Sequence, residues 1–331
     1  MSGRSFWLLM VLVVLGLLVV ESALLAAPRC LFTGQPAGNR DLYLADLATL
    51  KATALTTEPS HEEQPALSPD GRHVVFVSDR SGSPQLYLAS FGAALGPWVP
   101  LTEPATGAWA HPAFAPDGRS VIARFAPDVR RRLSSTSLVL VDLATRQTST
   151  IVESASFSSG PGEGPTVVVD HPAWLDAETL IFIKSELTDV EAPRVTSATL
   201  FRYDLKAGKA VRLTGGESYY DANGNPRGFM AGLPAVRPAR ATEPADIVFV
   251  AMQGRLDRMP MTVSRDGKDK RVLPLPTEGF FGPALWHPAG WVFGTIDEAG
   301  IPGLAFLPVG RGAAIRHLPF PGAVTDPVLV P

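Results

Sequence analysis

A single cysteine, Cys30, stands in 331 residues, so no disulfide can form within the chain. On a predicted strand, such a lone residue reads as a small buried apolar side chain. Basic charge is not in excess either. The 29 Lys and Arg are outnumbered by 32 Asp and Glu, for a net charge of −3, and this excludes the electrostatic footprint of a nucleic-acid binder. The Gly-x-Ser-x-Gly elbow of α/β-hydrolases is missing. A phosphate-binding Walker A sequence is missing too, and the glycines of GPGEGP (160–165) lack the strand-to-helix context of a dinucleotide fingerprint.

What the chain does contain is a repeated strand pattern, clearest over residues 64–90, QPALSPDGRHVVFVSDRSGSPQLYLAS. Residues 65–67 read as a short strand. Pro69, Asp70 and Gly71 end it, the proline presetting φ and Asp-Gly tolerating the positive φ of a hairpin. HVVFVS (73–78) is a β-branched and aromatic run of strand length, and DRSGSP turns the chain into a third strand, QLYLAS.

One such sheet cannot bury both of its faces, and copies of it follow. The signature of proline, small residue, apolar residue and turn recurs at Pro112, Pro172, Pro234, Pro283 and Pro327, at spacings of 47, 60, 62, 49 and 44 residues. A second marker, strand, Asp-Leu turn, strand, begins at Leu42, Leu138 and Leu200 and supplies an outer hairpin. Radial repetition of four-stranded units of this length makes a β-propeller.

These motifs closely resemble the TolB-like β-propeller repeat, Pro-x-x-Ser-Pro-Asp-Gly, an apolar strand, Ser-Asp-Arg-x-Gly and a strand with Leu-Tyr. The match is nearly complete over 65–87, good over 112–124, partial at Pro172 and Pro283 and weak at Pro234. The resemblance implies blade architecture and, by itself, no particular role.

The two ends indicate the blade count. Residues 29–56 supply strands two, three and four of a blade whose first strand is missing, and residues 327–330 carry the first-strand signature. Pairing them predicts an all-β fold of six blades over residues 28–331, closed near Leu31 and Val328. The α/β domain that precedes the propeller in the family's namesake has no counterpart in this reading.

Residues 1–27 stand apart. Arg4 precedes an uninterrupted apolar run over 6–20, and counting to Ala27 gives 22 residues, or about 33 Å of helix. Export follows. Cleavage after Ala27 would place Leu25 and Pro28 at unsuitable positions, so an uncleaved single-pass anchor with the propeller outside the cytoplasm is expected, with a cleaved signal peptide as the alternative.

Connections between strands four and one, and between strands two and three, emerge on one face of a propeller, and these vary here. Residues 126–137, 153–165, 185–197 and 215–232 form its long segments, in blades three to five. Within or beside them Tyr219, Tyr220, Arg227, Phe229 and Met230 are of the types found at interface centres, and Arg130, Arg131 and Arg132 suit a carboxylate-rich partner. The blander alternative is that the aromatics cap their own blades and the arginines are a solvated tip. DANGNPRG (221–228) lacks the alternating acidic spacing of a calcium loop.

His111 and His171 precede the first-strand prolines of adjacent blades and are expected near the channel mouth. Two histidines without a third ligand do not make a metal site, so no metal or other cofactor is expected. His287 is out of phase with the pair. The sequence therefore predicts a non-catalytic envelope scaffold that binds another envelope or membrane protein. The alternative is a lyase or hydrolase with a metal at His111 and His171.

Overall fold

The computed structural model describes residues 28–103, 107–128, 135–157, 166–188, 194–215, 230–237, 246–253, 257–310 and 312–331. Strands β1 (Arg29–Ala37), β2 (Asn39–Asp46) and β3 (Lys51–Ala54) join β24 (Ala323–Leu329) in the order β24-β1-β2-β3 as blade one. Blade two is β4 (Glu62–Leu67), β5 (His73–Ser78), β6 (Gln85–Ser90) and β7 (Val99–Pro100). Blade three is β8 (Ala108–Phe114), β9 (Ser120–Ala126), β10 (Ser137–Asp142) and β11 (Thr148–Glu153). Blade four is β12 (Thr166–Asp176), β13 (Thr179–Thr188), β14 (Arg194–Asp204) and β15 (Lys209–Arg212). Blade five is β16 (Met230–Arg237), β17 (Asp246–Gln253), β18 (Asp257–Val263) and β19 (Lys270–Val272). Blade six is β20 (Phe280–His287), β21 (Gly290–Ile296), β22 (Pro302–Pro308) and β23 (Arg316–His317). The fold is a six-bladed β-propeller.

The second strand of each blade is apolar at consecutive positions because both of its faces are covered. Leu31 and Phe32 are adjacent and fully buried, yet Leu31 packs with Val74 and Phe76 of blade two while Phe32 packs with Val292 and Phe306 of blade six. Val248 and Phe249 divide in the same way between blades six and four. A strand buried on both faces reads as a continuous apolar run, which is the pattern of HVVFVS. Phe32, Phe76, Phe182 and Phe249 hold equivalent places, each less than 2 % exposed. In blade six that place is Phe293, opposite Ala305, and at the next residue, Gly294, a Cβ would collide with the carbonyl of Gly282.

Short polar side chains end the strands. At the outer hairpins Asp46 Oδ1 accepts from the amides of Ala48 and Thr49, and Asp142 Oδ1 from those of Ala144 and Thr145, which is why Asp-Leu marks these turns. In the inner hairpin of blade two the Ser68 hydroxyl donates to Asp70 (2.6 Å) and accepts from the His73 amide (2.9 Å). A threonine after strand four latches strand three: the amides of Leu42, Leu86 and Leu200 donate to the hydroxyls of Thr56, Thr102 and Thr214 at 2.9, 3.0 and 3.0 Å.

Closure runs through blade one, where β1 pairs antiparallel with β24 and Leu31 faces Val328. Cys30 lies beside this seam, fully buried, and burial pushes its thiol up to about 12, so it is the inert apolar residue expected. Blade four departs from expectation. Of residues 185–197, read from sequence as a loop, 185–188 and 194–197 continue the β13–β14 ladder, with Ser185 opposite Ala198 and Leu187 opposite Val195. Polar residues predominate there, and their polarity disguised the strands.

Truncating Leu31 at the seam by Leu31→Ala is expected to cost about 2–5 kcal/mol. Deleting residues 323–331 should abolish cooperative unfolding; an unchanged denaturation curve for the deletion would refute closure by the two ends.

Glu62 is fully buried, with Oε1 accepting from the hydroxyls of Ser60 (2.6 Å) and Ser78 (2.9 Å). Burial raises its pKa, so its stabilising contribution is complete below the ordinary glutamate value and is lost as pH rises through the folded one. Glu62→Gln should therefore gain in thermal midpoint relative to wild type between pH 4 and pH 7, and a pH-independent difference would contradict this.

Candidate functional site

The innermost strands share one local device. In every blade a residue at positive φ precedes the signature proline: Gln64 (53°), His111 (48°), His171 (50°), Leu233 (47°), Asp326 (50°) and Gly282 (94°). The strand register slips at each of these points, so each is a β-bulge. Left-handed backbone before proline costs roughly 1–3 kcal/mol at a non-glycine residue and persists only where surroundings enforce it. Here the freed amides find side-chain acceptors. The Gln64 amide donates to Thr33 Oγ1 at 2.9 Å, and the His111 amide to Gln64 Oε1 at 2.7 Å, each reaching back one blade. The His171 amide donates to Asp170 Oδ1 at 2.7 Å.

The bulges bring a set of polar side chains together on one half of the channel wall. His111 Nδ1 lies 2.6 Å from Asp170 Oδ1, His171 Nδ1 lies 3.7 Å from the same oxygen, and Arg124 Nη1 donates to Asp170 Oδ2 at 3.2 Å. The two imidazoles stack, with ring centroids 3.8 Å apart. Beside them Arg40 pairs with Glu63 at 2.6 Å. Gln64, His111, His171 and Asp326 line a cavity of about 130 Å³. A second cavity of about 270 Å³ shares His171 and Asp326 and is otherwise mostly apolar, with Leu233, Phe281, Leu285 and Val324 in its wall.

Electrostatics follow from this crowding. Burial opposes charging of His111, but the Asp170 carboxylate outweighs it and raises the imidazole's pKa. Burial would raise Asp170, yet His111, His171 and Arg124 hold it well below the usual carboxylate range. Burial and the neighbouring His111 push His171 down to about 4. The cluster thus favours the proton of the His111–Asp170 hydrogen bond on the imidazole, keeps Asp170 ionised and opposes protonation of His171.

His111 and His171 do come together, on the innermost strands of adjacent blades, β8 and β12. Sequence reasoning overlooked Asp170, which supplies the third group, and Arg124, which orients it. The signal was available in the column of residues before the six prolines, and in the carboxylate immediately preceding His171. His287 ends β20, where its Nδ1 accepts from the Ala289 amide. Met230 opens β16 and packs against the core between blades four and five, which makes it a blade residue. Tyr219, Tyr220, Arg227, Phe229, Arg130, Arg131 and Arg132 lie outside the described residues, as does the 221–228 segment. No helix among the described residues is long and apolar enough to cross a membrane, and residues 1–27 are not among them.

Residues 27–169 match the model of the TolB β-propeller domain. The chain is 29% identical over 94 residues to a protein TolB homolog of Chlorobaculum tepidum, and 32% identical over 77 residues to the Tol-Pal system protein TolB of Helicobacter pylori. These stretches cover 28% and 23% of this chain and about a fifth of those relatives, 21% and 18%. The crystal structure of TolB from Acinetobacter baumannii superposes with a TM-score of 0.64 at 17% identity, over 93% of this chain and 67% of that one, a likeness of fold. With its in-phase repeats and six closed blades, the chain is similar to the TolB β-propeller domain over residues 27–169.

Proposed function

We propose that this chain is a non-catalytic extracytoplasmic scaffold whose long-loop face, over blades three to five, binds another protein of the cell envelope. The observation that carries this reading is the difference between the two propeller faces. On one, outer turns such as Asp46–Leu50 and Asp142–Gln147 are short and satisfied by their own aspartates. On the other, blade four extends its β13–β14 hairpin to strands of ten and eleven residues and leaves Val195 37% exposed. The chain between β11 and β12 and that between β15 and β16, each linking a fourth strand to the next first strand, leave and enter the blades on that same face.

The TolB relatives support a binding role, one of them being named for the Tol-Pal system. Tyr219, Tyr220 and Phe229 are the proposed anchors, because rigid aromatic side chains carry much of the energy at interface centres. Arg130, Arg131, Arg132 and Arg227 would meet carboxylates at its rim. Residues 6–27 would hold the propeller at the outer surface of the membrane.

Replacing Tyr219, Tyr220 and Phe229 together by alanine should abolish cross-linking to an envelope protein while leaving the thermal midpoint unchanged; wild-type capture by the triple variant would sink the proposed surface. Membrane fractionation with N-terminal sequencing tests the tether. Recovery in the membrane with residue 1 or 2 at the N-terminus supports it, and a soluble chain starting near Pro28 replaces it by a cleaved signal.

A further inference from the structure

We propose that His111, His171 and Asp170 form a binding site for one divalent first-row transition-metal ion inside the propeller channel. Protein binding on the long-loop face neither requires nor implies such a site. One ring nitrogen of each histidine and a carboxylate oxygen of Asp170 all lie within 4.8 Å of one another. Two of these separations, 2.6 and 3.7 Å from Asp170 Oδ1, bracket the roughly 3.3 Å edge expected when ligands sit 2.0–2.1 Å from a tetrahedral ion.

The ligand set selects the class of ion. Two imidazoles and one carboxylate suit zinc, iron or manganese, whereas calcium and magnesium prefer oxygen alone. The surroundings supply what a metal site needs beyond its ligands. Arg124 holds Asp170 Oδ2 at 3.2 Å, which leaves Oδ1 turned toward both rings. Each histidine backbone is pinned in a bulge by its amide hydrogen bond and by the proline that follows. The adjoining cavity of about 130 Å³ is lined by Asp326 and Gln64, and at about 30 Å³ per water it has room for solvent ligands to complete the shell. Asp326 adds a second carboxylate to a wall whose nearest cation, Arg124, is already engaged by Asp170.

Binding requires two adjustments. The proton shared by His111 Nδ1 and Asp170 Oδ1 leaves to solvent, freeing a lone pair on each atom for the ion. The stacked rings turn apart about their side-chain torsions so that both Nδ1 lone pairs converge. His171 carries no proton to displace at the nitrogen facing the ion in one of its two neutral tautomers.

The test uses the full chain stripped with chelator, then titrated with Zn²⁺ by calorimetry and with Co²⁺ by visible absorption. One equivalent of each ion should bind, Co²⁺ giving ligand-field bands of a nitrogen and oxygen site. His111→Asn, His171→Asn and Asp170→Asn should each weaken Zn²⁺ binding by about ten- to a hundredfold. Asparagine is chosen at 111 and 171 because it tolerates left-handed backbone. Absence of saturable Zn²⁺ binding to the wild-type chain would overturn the proposal, as would undiminished binding to the folded His111→Asn/His171→Asn double variant. Should the variants not fold, nitrogen-15 NMR of the wild-type chain decides: Zn²⁺ should shift Nδ1 of His111 and His171, and shifts confined to His61, His73, His287 or His317 would refute the site.

Discussion

A blade of this propeller has two apolar faces and no means of covering either one by itself. Leu31 and Phe32, or Val248 and Phe249, are neighbours in sequence that must be buried on opposite sides of one sheet. Each blade therefore depends on the two beside it. Six interfaces, each with its own buried cluster, close into a ring only because β24 returns to pair with β1. A break at any interface exposes the apolar faces of two blades, so the chain ends, usually the most dispensable part of a domain, are here a point of closure.

The ring also constrains its own interior. Six innermost strands converge on the axis, and a continuous ladder would point alternate side chains of every strand into the same narrow space. The bulge before each signature proline breaks that regularity. It turns one residue per blade out of the ladder at positive φ and releases its amide. Where the acceptor for that amide lies in the preceding blade, as Gln64 does for His111 and Thr33 does for Gln64, the repair of the bulge also ties neighbouring blades together. A local backbone irregularity thus becomes an inter-blade hydrogen bond, and the chemical character of the channel is set by six residues that the blade core leaves free to vary.

This explains what was legible in the sequence. Blade number, strand order and the pairing of Leu31 with Val328 could be read because they rest on repeated local signals: the Pro-Asp-Gly turn, the β-branched run, the Asp-Leu hairpin. The long β13–β14 hairpin was hidden because its residues are mostly polar, and polarity resembles a loop. The Asp170 contribution was hidden for a different reason. His111 and Asp170 are 59 residues apart and in different blades, and only the curvature of the ring brings them to 2.6 Å. Repeats reveal the architecture, but a site assembled across blades is invisible within any one copy.

The channel wall that results is not six-fold in its chemistry. Gln64, His111, His171 and Asp326 occupy four of the six bulge positions and are polar, while Leu233 and Gly282 occupy the remaining two and face an apolar cavity. Blade architecture cannot account for this difference, since the same bulge occurs with glutamine, leucine or glycine before the proline. Nor can core packing, because these side chains stand outside the inter-blade clusters except for Leu233, which packs at the interface of blades five and six. Keeping two histidines, two carboxylates and an arginine along one wall of a confined space carries a desolvation cost that apolar residues at the same bulges would avoid. That cost is offset in part by the mutual hydrogen bonds around Asp170, one of which also satisfies the amide freed by the His171 bulge.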